Sequence, residues 1–281
     1  MKRTVVQIED QILQMEVDGD TLFGKEEVLL YQDDDLIKHT AWHKEGYTTQ
    51  PFLPPEMYQQ ILAGITQLIK QFIEKETGKI ATGFSLEKYH EFCGNNEMHL
   101  RVVSNFQKCM PIEDFPVNFN LLDELISTIC GINVTSNHPF QEDSGQFCIR
   151  IVRPQCKTDN NPPHRDVWLN RLRNAVNIYL PLAGSNLKSS LPLIPGSHIW
   201  PESEIERTVS GAKVNNVVFT VPCVVGSKQG LKMIRPQVLL NEVMVFSPYL
   251  IHGGGCNLND NTTRVSIEIR FWRKPVVSKI I

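Results

Sequence analysis

The side chains best suited to chemistry lie in Asn161-Pro162-Pro163-His164-Arg165-Asp166-Val167-Trp168, where an imidazole and a carboxylate stand two positions apart. On an extended backbone residues i and i+2 point the same way, so His164 and Asp166 can face one metal ion. A third donor is at hand in Pro248-Tyr249-Leu250-Ile251-His252-Gly253-Gly254-Gly255, which puts His252 at a strand end before a glycine-rich turn. Two histidines and one carboxylate on one face of an octahedron form the recurrent donor set for non-haem iron(II), with positions left open for dioxygen and a co-substrate. Taken alone, His-x-Asp is equally at home in a structural or surface turn. Arg264 adds weight, because a buried guanidinium at the start of the last strand can pair bidentately with a co-substrate carboxylate; the competing reading is an exposed strand arginine.

These residues need a scaffold, and the hydrophobic period supplies its outline. Met57, Ile61, Ile65, Leu68, Ile69 and Phe72 recur at helical spacing between Pro54-Pro55 and Gly78, which fits a helix of about five turns. Leu121, Leu122, Leu125, Ile126 and Ile129 mark a second helix, closed by Gly131. Beyond about residue 133 the period shifts towards two. Phe147 to Val152, Val176 to Leu180, Asn216 to Val221, Val243 to Phe246 and Thr263 to Trp272 read as strands separated by Gly, Pro, Asn and Asp turns. Helices followed by many short strands predict a mainly β fold, a double-sheet jelly roll braced on one outer face by N-terminal helices. We expect a single domain over 1–281, with a helical part at about 33–132 and a jelly-roll core at about 133–274. Residues 79–112 follow no clear period and are a candidate substrate lid.

Composition narrows the partners. The chain of 281 residues carries a net charge of -3, so it lacks the broad positive field of a nucleic-acid binder, and a small-molecule substrate is expected instead. No run approaches the ~20 apolar residues of a membrane span, and acidic residues interrupt the N-terminus before any signal-peptide core. The expectation is a soluble, cytoplasmic protein without a membrane partner. Seven cysteines without a C-x-x-C pair argue against a disulfide framework or zinc ribbon and read mostly as reduced core residues. Asp33-Asp34-Asp35 lacks the glycine and later glutamate of a calcium loop and reads as a solvated turn.

Taken in order, His164-Arg165-Asp166, Leu193-Ile194-Pro195-Gly196-Ser197-His198, Asn241 to Phe246 leading to His252, and then Arg264 resemble the phytanoyl-CoA dioxygenase-like family of iron(II)/2-oxoglutarate oxygenases. Trp42 to Tyr47 followed by Phe52-Leu53-Pro54-Pro55-Glu56 is similar to that family's opening, where a strand leads into the first helix. The resemblance runs from about Asp33 to Arg273. It implies a double-stranded β-helix, Fe(II) at His164, Asp166 and His252, and the distal carboxylate of 2-oxoglutarate on Arg264. It also implies O2 as second co-substrate and release of succinate and CO2 as substrate is oxidised, by default hydroxylated. One departure stands out: members often carry serine two residues after the distal histidine, where this chain has Gly254. Tyr179 and Asn177 are the candidates to assist Arg264 in its place.

On the last strand Arg264, Ser266, Glu268, Arg270 and Trp272 share one face. If Arg264 points into the barrel, that polar face suits a polar or anionic substrate, with Arg150, Arg270 and Trp168 as candidate contacts and an Arg270–Glu268 pair as the structural alternative. Two other functions use the same three ligands, a non-catalytic metal-binding jelly roll and a zinc hydrolase; neither calls for Arg264.

Overall fold

The computed structural model describes residues 1–107, 110–139 and 146–275. Its central feature is a seven-stranded antiparallel sheet in the order Tyr47–Pro51, Glu242–Phe246, Ala175–Ala183, Arg264–Arg273, Gln146–Val152 and Met110–Pro111, with Val134–Thr135 paired to the end of Arg264–Arg273. Ala175–Ala183 is buried at all nine positions, as befits a strand covered on both faces.

Period-two alternation decides what each face does. Val265, Ile267, Ile269 and Phe271 are fully buried against Ile61, Ile65 and Ile69 of the helix Pro55–Thr77 and Leu122 and Ile126 of the helix Phe119–Cys130. Both helices end as expected, on Gly78 (φ 66°) and Gly131 (φ 69°) in the left-handed conformation. Asn118 caps the second by accepting a hydrogen bond from Asn120 N. The opposite face of Arg264–Arg273 carries Arg264, Glu268 and Arg270, while Arg273 at the strand end is exposed and pairs with Asp34.

The opposing layer is thin at the decisive point. His164, His252, Leu193 and Ile234 form a ladder of isolated antiparallel bridges, so the two histidines are direct register partners. His164 N donates to His252 O and His252 N to His164 O, both at 3.0 Å. A five-stranded sheet extends this layer in the order Val217–Phe219, Ala212–Val214, Gln11–Asp18, Lys2–Ile8 and Lys232–Met233. Val6, Ile8, Met15 and Val17 bury their side chains with Ile205, Val224, Met233 and Ile251.

The N-terminal hairpin departs from the expected helices-then-strands order, since strands of the roll also come before residue 33. Residues 79–107 form the helices Tyr89–Phe92 and Asn96–Gln107 with Tyr89, Cys93 and Val102 in the main core. That part of the candidate lid is anchored. Asp33, Asp34 and Asp35 are not a solvated turn: they bind Arg173, Arg273 and His43 respectively. Cys93, Cys130, Cys156, Cys223 and Cys256 are free, in line with mostly reduced cysteines, and Cys148 is disulfide-bonded; Cys109 lies outside the described residues. No helix among the described residues is long and apolar enough to cross a membrane.

Candidate metal centre

His164, Asp166 and His252 are buried and bring one ligand atom each within 4.8 Å of the others. His164 Nδ1 lies 2.7 Å from Pro162 O and His252 Nδ1 3.0 Å from Leu250 O. Each imidazole therefore donates Nδ1–H to a backbone carbonyl and keeps the Nε2 lone pair free for a metal. Asp166 Oδ1 sits 3.2 Å from His164 Nε2 and 3.9 Å from His252 Nε2.

The other carboxylate oxygen is already committed. Asp166 Oδ2 accepts from Asn177 Nδ2 at 2.8 Å and from Arg270 Nη2 at 3.0 Å. Asp166 N also donates to Pro248 O at 3.0 Å, which ties the carboxylate's backbone to the segment bearing His252. One free oxygen, two free Nε2 atoms and a buried pocket fit iron(II).

Electrostatics keep Asp166 and His252 in their ligating forms. Burial alone would raise the Asp166 pKa, but Arg270 and the two imidazoles outweigh it and hold the carboxyl well below its usual range. Burial, with His164 beside it, pushes the His252 imidazole down to about 4.

A pocket of about 50 Å³ opens beside His164, Asp166 and His252. Arg264 lines it, with Nη1 donating to Ser266 Oγ at 3.1 Å and Nε buried without a partner. Arg150 and Glu268 line it as an ion pair, Nε to Oε2 at 2.9 Å. The Arg270–Glu268 pair considered from sequence is thus replaced by two others, Arg150–Glu268 and Arg270–Asp166.

Several candidate contacts fall elsewhere. Asn177 donates its amide to Asp166 and is not among the residues that line the pocket. The Tyr179 hydroxyl pairs with Ser185 Oγ at 2.9 Å, and its ring lies under the Arg264 guanidinium at 5.8 Å. Trp168 turns away because Asp166–Trp168 is a 3₁₀ turn, which breaks the two-residue alternation; its Nε1 donates to Glu202 and Arg207 stacks on its ring. No residue of 79–107 lines the pocket.

Sequence reasoning missed two features. Asp159, on the pocket wall, is gripped bidentately by Arg153 at 2.8 Å from each oxygen and flanked by His99. Arg235 is buried near Arg264, its guanidinium donating to the carbonyls of Ser190 and Cys256; burial and that neighbour push it down to about 10. Neither residue belongs to a motif, so only the fold brings them here.

No family model and no curated protein matches the chain. Among solved structures it is similar to AviO1 from Streptomyces viridochromogenes Tue57, at 16% identity over 90% of this chain and 99% of that one, TM-score 0.47. It is also similar to EctD from S. alaskensis, crystallised with 2-oxoglutarate and 5-hydroxyectoine, at 14% identity over 90% and 84% of the two chains, TM-score 0.47. A third is the non-heme alpha ketoglutarate dependent epimerase SnoN from nogalamycin biosynthesis, at 12% identity over 83% and 78%, TM-score 0.46. With likeness at this level, the chemistry of the site rests on its own residues.

Proposed function

We propose that this protein is an iron(II)- and 2-oxoglutarate-dependent oxygenase that oxidises a polar small molecule, with hydroxylation as its default reaction and succinate and CO2 as co-products. The observation that carries this reading is the pairing of two sites in one pocket: three converging metal donors, and a buried arginine whose Nε has no protein partner. A structural metal site or a zinc hydrolase would have no use for the second.

When bound, iron(II) supplies the centre at which dioxygen and the 2-oxo acid react. The chain supplies the rest. His164 and His252 hold their Nε2 atoms on target through their Nδ1 bonds, and Asp166 offers Oδ1 because Arg270 and Asn177 retain Oδ2. Arg264, only 5% exposed, presents fixed positive charge where it is not dissipated by solvent, and so binds and orients a dicarboxylate. Arg150 and Glu268 give the remaining wall a polar character that favours a polar substrate over an alkyl chain. Burial of the three donors restricts water at the reacting centre. The presence of Asp166 disfavours halogenation, which requires a small residue there to make room for halide.

The test is oxygen-dependent conversion of 2-oxoglutarate to succinate by the iron(II)-loaded protein. Iron binding without consumption of 2-oxoglutarate would favour a sensor, and substrate turnover under strict anaerobiosis would favour a hydrolase.

A further inference from the structure

We infer that the side-chain amide of Asn160 binds the same distal carboxylate of 2-oxoglutarate that Arg264 receives, filling the part left open by Gly254. This rests on the co-substrate reading above and adds a residue to it.

Asn160 Nδ2 is buried and has no hydrogen-bond partner, yet Asn160 lines the pocket together with Arg264 and Gly254. Buried amide donors in native proteins are rarely left unpaired, and exceptions tend to mark a missing ligand. The residues on either side are committed. Asp159 holds Arg153 with both carboxylate oxygens, and Asn161 O accepts from Gly254 N at 2.7 Å. The segment is pinned at both ends, and Asn160 lines both this cavity and an adjoining one.

Among the described residues none accepts a hydrogen bond from it. Of the carboxylates that line the pocket, Asp159 belongs to Arg153, Asp166 to Arg270 and Glu268 to Arg150. Arg264 Nε is likewise buried and unpaired. Arg235 brings a second buried positive charge to the Arg264 end of the cavity, with its Nη2 close behind Gly255. Two unsatisfied donors in a positive field call for an anionic acceptor from outside the chain. A carboxylate meets that need, with one oxygen for the guanidinium and one for the amide.

The probes are 2-oxoglutarate and 2-oxobutyrate, which keeps the 2-oxo acid end and lacks the distal carboxylate. Each is titrated anaerobically into the iron(II)-loaded parent and Asn160→Ala, following the visible band of the chelate. The expected result is about tenfold weaker 2-oxoglutarate binding in Asn160→Ala, with 2-oxobutyrate binding unchanged. Asn160→Asp should lose more, because it sets a carboxylate against a carboxylate. The melting temperature of ligand-free Asn160→Ala should match the parent, since Nδ2 bonds nothing there.

Equal weakening of both acids, or of neither, overturns the assignment, and so does a lowered melting temperature accompanying the loss, which would mark a structural residue. If 2-oxoglutarate binding is intact and only a substrate's KM rises, the amide serves the substrate and the assignment fails. No band in the parent contradicts the co-substrate reading itself, and Asn160's role falls with it.

Discussion

Arg270 donates from Nη2 to Asp166 Oδ2 at 3.0 Å, which makes a partly buried arginine the counter-charge of the candidate metal carboxylate. Its register partner on the adjacent strand, Asn177, donates to the same oxygen at 2.8 Å. Cross-strand neighbours therefore fix the carboxylate in one orientation and leave Oδ1 to a metal. Groups that orient a ligand in this way commonly set metal affinity as much as the ligands do.

Arg270→Met should weaken iron(II) or manganese(II) binding by about 10- to 100-fold, with partial recovery in Arg270→Lys. Competition titration against a metal indicator checks this. An unchanged dissociation constant in Arg270→Met would show that the arginine is only a structural partner.

Arg264→Ala should raise the apparent dissociation constant for 2-oxoglutarate by about tenfold or more and leave metal affinity unaltered, because the guanidinium lines the pocket but does not contact the three ligands. Unaltered co-substrate affinity would remove Arg264 from its assigned role.

Serine at position 254 should not restore the side chain seen in the family that the sequence resembles. Gly254 has φ +82°, and a Cβ there would come within 2.7 Å of the Pro163 ring. Gly254→Ser is expected to cost about 1–3 kcal/mol and lower the melting temperature by several degrees, with no gain in 2-oxoglutarate affinity. Tighter binding at unchanged stability would contradict this.

Acid should destabilise the metal-free protein early. Burial is the largest cause that pushes His99, His198 and His252 each down to about 4. The unfolded chain protonates these imidazoles near pH ~6.5 while the folded chain resists, so between roughly 6.5 and 4 the unfolded state binds more protons. Their stabilising contribution is complete above that window and is lost as pH falls through it, by up to about 1.4 kcal/mol per pH unit for each histidine. Denaturant midpoints measured from pH 7.5 to 4.5 should fall steadily; a flat profile would contradict the burial of neutral imidazoles.

The His164, Asp166 and His252 cluster was legible because His164 and Asp166 are close in sequence and His252 sits before a glycine turn, and the alternation from Arg264 to Trp272 showed which face turns inward. Both long helices announced their ends through Gly78 and Gly131. The N-terminal hairpin was harder to read. Val5 and Ile12 are apolar yet exposed, which blurs the alternation of Thr4, Val6 and Ile8, and the Glu9-Asp10 turn lacks a glycine although Glu9 adopts φ 51°. Trp168 misled because a 3₁₀ turn at Asp166 rotates it off the ligand face. Asn160, Asp159, Arg235 and the Arg270–Asp166 pair depend on contacts between distant segments, which no local spacing encodes.

The central claim is that one pocket holds both the metal and 2-oxoglutarate. Anaerobic titration of the iron(II)-loaded protein with 2-oxoglutarate, repeated with His252→Ala, tests it without any substrate. The account predicts a weak visible charge-transfer band in the parent and its loss in the variant. Iron bound by the parent with no band at saturating 2-oxoglutarate would contradict it.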